Sequence, residues 1–156
     1  MSFDPPPLFA RIYARHGHRC PMSTLGGRLG LAALNLLGQT GGELRAVFAN
    51  RTCALDGITE VTGCSEANGR LKVVPCGRHA LTVSTIDDRR VEVELTTTAL
   101  EMAGRYRSLC DRLERGWEEL DSDEQARRQG AMDALLDELL PQFWQAEDQL
   151  LVVTNG

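Results

Sequence analysis

Apolar residues recur at three- and four-residue spacing at Leu25, Leu29, Ala32, Ala33, Leu36 and Leu37, and this period predicts a helix opening at Pro21. A shorter helix built on Leu8, Ile12 and Ala14 precedes it and runs into Gly17. Gly26, Gly27 and Gly30 sit inside the second helix, each at a cost of about 1 kcal/mol relative to alanine. That cost points to close packing against another backbone, a second subunit among the candidates. Gly41-Gly42 is expected to close the helix. Thereafter the period shortens. Strands are predicted at 44–49, 71–74, 80–84 and 91–95, where valines alternate with glutamates in Val91-Glu92-Val93-Glu94. Between the first two, Thr52 is the expected N-cap of a helix from Cys53 to Thr62 that Gly63 ends.

From Thr97 the pattern becomes helical and highly charged. One helix is expected near 98–119, then a break at Leu120-Asp121-Ser122-Asp123 and a second helix to about Leu139. Pro141 is read as starting a last turn that carries an aromatic anchor, Phe143-Trp144, and Leu150 to Val153 as a short edge strand. The sum is an α+β fold: a mainly antiparallel sheet of about four strands packed with helices, plus a C-terminal helical extension. Residues 1–96 form the expected core, and 97–156 the extension, packed on the core or on a dimer mate.

The chain has 156 residues, 42% hydrophobic and 25% charged, enough for one compact core. Its net charge of -5 gives no basic face for nucleic acid. Arg11, Arg15, Arg19 and Arg28 cluster locally, as a solvated face or a site for an anionic ligand. Met1 to Pro7 has no charged leader followed by an apolar run, so neither a secretory signal nor a membrane anchor is expected. Leu29 to Leu37 is too short to cross a bilayer. Five cysteines, an odd number, argue against a secreted disulfide framework and for a cytoplasmic setting.

The chemistry concentrates in His16-Gly17-His18-Arg19-Cys20-Pro21. In an extended chain the three donors at alternate positions point to one side, whereas on a helix only His16 and Cys20 share a face. Either geometry unites at least two metal-binding groups. Cys53 stands at a predicted helix start, where the dipole and unpaired amides favour thiolate. Asp56, three residues on, is placed to take a proton, to orient a histidine or to act as a weak ligand. Cys64 is too far along the same helix, about 16 Å at 1.5 Å per residue, to share an ion with Cys53, so it is read as structural or as reaching a partner protomer. Cys76 and Cys110 receive no role.

Those segments, with Thr62-Gly63-Cys64, Asn68-Gly69-Arg70-Leu71 and Gly77-Arg78-His79-Ala80-Leu81, resemble the successive motifs of the FmdE family, named for its association with formylmethanofuran dehydrogenase, across residues 8–95. The resemblance implies an α+β core, a homodimer, and a metal pocket of His16, His18, Cys20 and Cys53, with Asp56 more loosely attached. Met22 stands where the family usually has glycine, which brings a thioether toward the pocket. No paired CxxC sequence follows residue 97, so the zinc ribbon of many relatives is expected to be missing.

Two functional expectations lead, ahead of a purely structural reading as a dimeric interaction module with incidental thiols. The first is a metal-binding protein in one-carbon or metal-cofactor metabolism, an enzyme or an accessory factor. Zinc is the first choice of ion, with nickel or iron as alternatives. Cys53, Asp56 and His18 are its catalytic candidates, and Met22 and Arg19 its cofactor-contacting ones. The second is a non-catalytic carrier or sensor for a haem, a corrinoid or a molybdenum or tungsten cofactor. Whether the chain is an enzyme stays open at this point.

Overall fold

The computed structural model describes residues 4–155. The expected unstructured leader lies in part outside them. Helix α1 (Pro7–His16) ends on Gly17, whose φ of 97° is left-handed and whose amide donates to the Tyr13 carbonyl at 2.8 Å. This turn reverses the chain into α2 (Pro21–Leu37), which opens with proline in its first turn. The helix closes on Gly38 rather than at the expected Gly41-Gly42, because Gly38 adopts the positive φ of 69° that a side chain would oppose.

Strand β1 (Arg45–Phe48), helix α3 (Ala54–Thr62) and strand β2 (Leu71–Val73) form a crossover unit, so β1 and β2 run parallel with Ala46 opposite Leu71. Strands β3 (Ala80–Ser84) and β4 (Arg90–Leu95) extend the sheet antiparallel, with Val47 opposite Thr82 and Leu81 opposite Val93. A fifth strand, β5 (Val152–Asn155), pairs with β4 and completes the order β2-β1-β3-β4-β5. The fold is therefore α+β with a mixed five-stranded sheet. Leu150 and Leu151, expected in the edge strand, belong to a short helix α6 (Asp148–Leu151) that precedes it.

One sheet face carries Ala46, Phe48, Leu81, Val83, Val93 and Leu95, all buried in the core with Leu25, Leu29 and Ala33 of α2. Period-two alternation supplies that face from the strands, and the three-to-four spacing supplies the facing stripe of α2. Gly26 of α2 does serve a close backbone approach, but the partner is α3 of the same chain, while Gly27 makes room for Ile12 of α1 and Gly30 for Val61 of α3. A Cβ on Gly26 would lie 2.0 Å from the Ala54 carbonyl oxygen, and one on Gly57 would lie 2.1 Å from that of Ser23. No second protomer is needed to explain these residues.

Helix α4 (Thr97–Leu113) is capped by Thr96, whose hydroxyl accepts from the Ala99 amide at 3.1 Å. It stops six residues short of the expected 119 and is followed by a tight turn at Trp117–Glu119. Helix α5 (Ser122–Gln145), capped by Asp121, continues through Pro141 instead of ending near Leu139. Met132, Leu136, Leu139, Leu140 and Phe143 keep one buried stripe across that point. Tertiary packing of this stripe outweighs the loss of a backbone donor at proline.

The four arginines do not form one surface. Arg11 and Arg15 share Glu60 at 3.2 and 2.8 Å, and Arg19 binds Asp137 at 2.6 Å. Arg28 is buried and donates to the carbonyls of Phe143 and Ala146 and to Asp148, at 2.5 to 2.7 Å. It pins the end of α5 to the core. The aromatic anchor acts nearby: Trp144 stacks with Phe9 and donates from its indole nitrogen to the Tyr13 hydroxyl at 2.9 Å.

Candidate metal centre

Three helix ends converge beside the sheet. His16 closes α1, Cys20 is the extended residue just before α2, and Cys53 is the residue just before α3. The tight crossing of α2 and α3 at Gly26 and Gly57 holds the last two starts side by side. The side chains of Ser23 and Thr24 donate back to the Cys20 carbonyl at 3.1 and 2.8 Å and fasten that corner. Thr52 accepts from the Ala54 amide at 3.1 Å, so it supports the start of α3 although the helix begins one residue later than expected.

One ligating atom from each of His16, Cys20 and Cys53 lies within 4.8 Å of the others. Tetrahedral zinc on sulfur and nitrogen needs donor separations of roughly 3.5–3.8 Å, which small side-chain rotations reach from here. His16 supports the fit. Its Nδ1 lies 2.8 Å from Asp56 Oδ2, where the ring N–H donates to the carboxylate, while its Nε2 is buried without a hydrogen-bond partner. An imidazole fixed by a carboxylate on one nitrogen and left bare on the other has the tautomer and orientation of a metal ligand. A buried bare nitrogen otherwise costs stability.

Cys53 does not have the depressed pKa expected from its helix start. Burial pushes its thiol up to about 11, with the adjacent Cys20 thiol and the Asp56 carboxylate adding to the shift. Desolvation first, and then repulsion from the neighbouring thiolate and carboxylate, outweigh the dipole. A bound cation removes the conflict, because it deprotonates coordinating thiols outright.

His18 stands outside the three-donor group. Its ring packs on that of His16 with centroids 4.4 Å apart, and its Nδ1 donates to the Arg19 carbonyl at 3.0 Å. Arg19 is occupied by Asp137. Cys64 is buried, and its thiol donates to the Leu44 carbonyl at 3.2 Å, a structural contact.

A cleft of about 730 Å³ opens in front of the two sulfurs. His18, Cys20, Met22 and Cys53 line one side, with His79 at the start of β3 and the Leu100, Gly104, Tyr106 and Cys110 face of α4 around the rest. The sequence placed His79 in a family-like motif without giving it a role, assigned Cys110 none, and did not single out Tyr106. The signal in the sequence was the one-sided spacing of Leu100, Ala103, Gly104, Arg107 and Asp111 along α4. His79 leaves its Nδ1 buried and unpaired, and burial lowers its pKa, so it is neutral near pH 7.

The chain matches the family model for "FmdE, Molybdenum formylmethanofuran dehydrogenase operon" over residues 15–152. It is 32% identical over 83 residues to a probable S-adenosyl-L-methionine-binding protein of Archaeoglobus fulgidus, a match that takes in 49% of this chain and 23% of that protein. The chain thus spans about a quarter of that relative's length. In solved structures it resembles an FmdE-like protein of the tungsten formylmethanofuran dehydrogenase type from Syntrophus aciditrophicus, with a TM-score of 0.58, 23% identity, and coverage of 94% of this chain and 68% of that one. That likeness is one of fold. With the family's model running from the end of α1 to the start of β5, the chain belongs to the FmdE family.

Proposed function

We propose that the protein holds one divalent transition-metal ion, zinc first, on His16, Cys20 and Cys53, and serves one-carbon or metal-cofactor metabolism. The observation that carries this reading is the buried, bare Nε2 of His16 beside two thiols, with Nδ1 already held by Asp56. Imidazole and thiolate donors suit zinc, nickel and iron, and three protein ligands leave a position open. Bound there, such an ion supplies Lewis acidity toward an oxygen-bearing ligand.

The chain's own residues account for the rest. Asp56 fixes the His16 tautomer. His18, on the cleft wall and outside the donor set, is the group placed to exchange a proton with a molecule in the cleft. Met22 and the apolar face of α4 line the cleft beside the thiols. Two copies of the chain are proposed to associate as a homodimer. No helix among the described residues is long and apolar enough to cross a membrane. A cytoplasmic location is part of the proposal and accords with cysteines that are all free.

The test is purification without a histidine tag, followed by elemental analysis and a visible spectrum. About one zinc, nickel or iron per chain and no Soret band support the proposal. A Soret band or a corrinoid spectrum instead makes the cleft a cofactor-carrier site, which its size and its His18, His79 and Met22 walls accommodate. Metal-free protein that gains no thermal stability from any of these ions refutes both readings.

A further inference from the structure

The cleft is a built space rather than a gap in the surface. Its thiol side is fixed by the α2–α3 crossing, and its opposite side is one face of α4. Cys20 and Cys53 line it and His16 does not, although a ring nitrogen of His16 lies within 4.8 Å of both sulfurs. Pro21, Met22, Leu100, Ala103 and Gly104 make a largely apolar wall.

Charge narrows the class of ligand. Arg107, the one arginine on the wall, is engaged by Asp111 at 3.1 Å, which leaves the Glu114 carboxylate as the uncompensated charge. With the two thiolates cancelling the charge of a divalent ion held there, an anion would meet only the net negative Arg107, Asp111 and Glu114 side of the cleft. His18 and His79 line the cleft together with Cys20 and Cys53.

Gly104 shows that the α4 face has room. A Cβ built there meets no atom within 4 Å, although the residue is half-buried and lines the cleft. Glycine within a helix costs stability without need, and here its missing side chain keeps the wall open.

We propose that this cleft binds a small neutral organic molecule whose apolar body lies along Leu100, Ala103 and Gly104 opposite Met22. Its single hydroxyl or carbonyl end points to the Cys20–Cys53 pair. The inference rests on the metal-pocket reading for what the polar end meets, and on the α4 wall alone for what the body meets.

The test uses the full-length zinc-loaded protein with isotopically labelled methionine methyl groups, titrated with ethanol, 1-butanol, 1-hexanol and hexanoate. The Met22 resonance is expected to move while that of Met132, outside the cleft, does not. Affinity is expected to rise about fourfold per added methylene, and hexanoate to bind more weakly than 1-hexanol. Gly104→Phe, which fills open space and improves helix propensity, is expected to abolish the chain-length dependence with zinc content unchanged. Affinity independent of chain length, hexanoate binding as tightly as 1-hexanol, or an unaffected Gly104→Phe protein would overturn the proposal. Zinc retained without length dependence sinks the cleft alone. Length dependence in a protein that takes up no zinc upholds the apolar wall and sinks the metal pocket.

Discussion

The imidazole Nδ1 of His16 lies 2.8 Å from Oδ2 of Asp56, forty residues further along the chain. That contact joins the end of α1 to the first turn of α3 and decides which nitrogen of His16 remains free. Asp56→Ala is expected to weaken zinc about 10–100-fold, the usual loss for an orienting carboxylate, while leaving the fold intact. Competition with a chromophoric chelator measures it. An unchanged affinity would remove Asp56 from the site.

Cys20→Ala and Cys53→Ala should each lower metal occupancy substantially, because each removes one of three protein donors. Cys110→Ala, on the far wall of the cleft, and Cys64→Ala, a core thiol bonded to Leu44, should keep it. Elemental analysis of the four variants gives the answer. Equal occupancy in all of them would contradict the proposed centre.

The α2–α3 crossing carries stability and site geometry together. Gly57→Ala drives a methyl group against the Ser23 carbonyl and is expected to cost at least about 2 kcal/mol, with weakened metal binding. Gly130→Ala, at a position with nothing within 4 Å, should stabilise by about 0.5–1 kcal/mol. Urea unfolding of the two variants separates these cases. A Gly57→Ala protein as stable as the parent would mean that the helices can part without loss.

Acid sensitivity should arise in part at the sheet edge. Arg78 at 2.8 Å and Asn155 at 3.0 Å hold the Glu94 carboxyl below its ordinary value of 4.5. A carboxylate depressed in the folded state stabilises above its unfolded pKa, and that contribution is lost as pH falls through the depressed value. Arg78→Gln is therefore expected to show a shallower decline in stability between about pH 5 and 3 than the parent. Parallel slopes in denaturant titrations across that range would count against the linkage.

Much of this molecule was legible in one dimension. Hydrophobic period alone places α1, α2 and the four strands from β1 to β4, because side chains at those spacings must share a face to be buried. Donor spacing marks the cluster of His16, His18 and Cys20, and the family resemblance adds Cys53, but neither separates His16 from His18. The capping residue Asp121 marks the start of α5 for a local reason: its side-chain oxygen accepts from the Glu124 amide three positions on.

What local pattern left undecided was settled by contacts between distant segments. His16 rather than His18 joins the thiols because Gly17 turns the chain and Asp56 grips the imidazole, and neither effect can be read from alternation. Pro141 stays helical because the buried stripe from Met132 to Phe143 continues past it. The raised pKa of Cys53 comes from burial beside Cys20, a neighbour thirty-three positions away. The amino-acid order by itself determined which elements form and which atoms can ligate. Only the tertiary structure decided which of those atoms meet, because the glycines of α2 announce a close backbone approach without naming α3 as the partner.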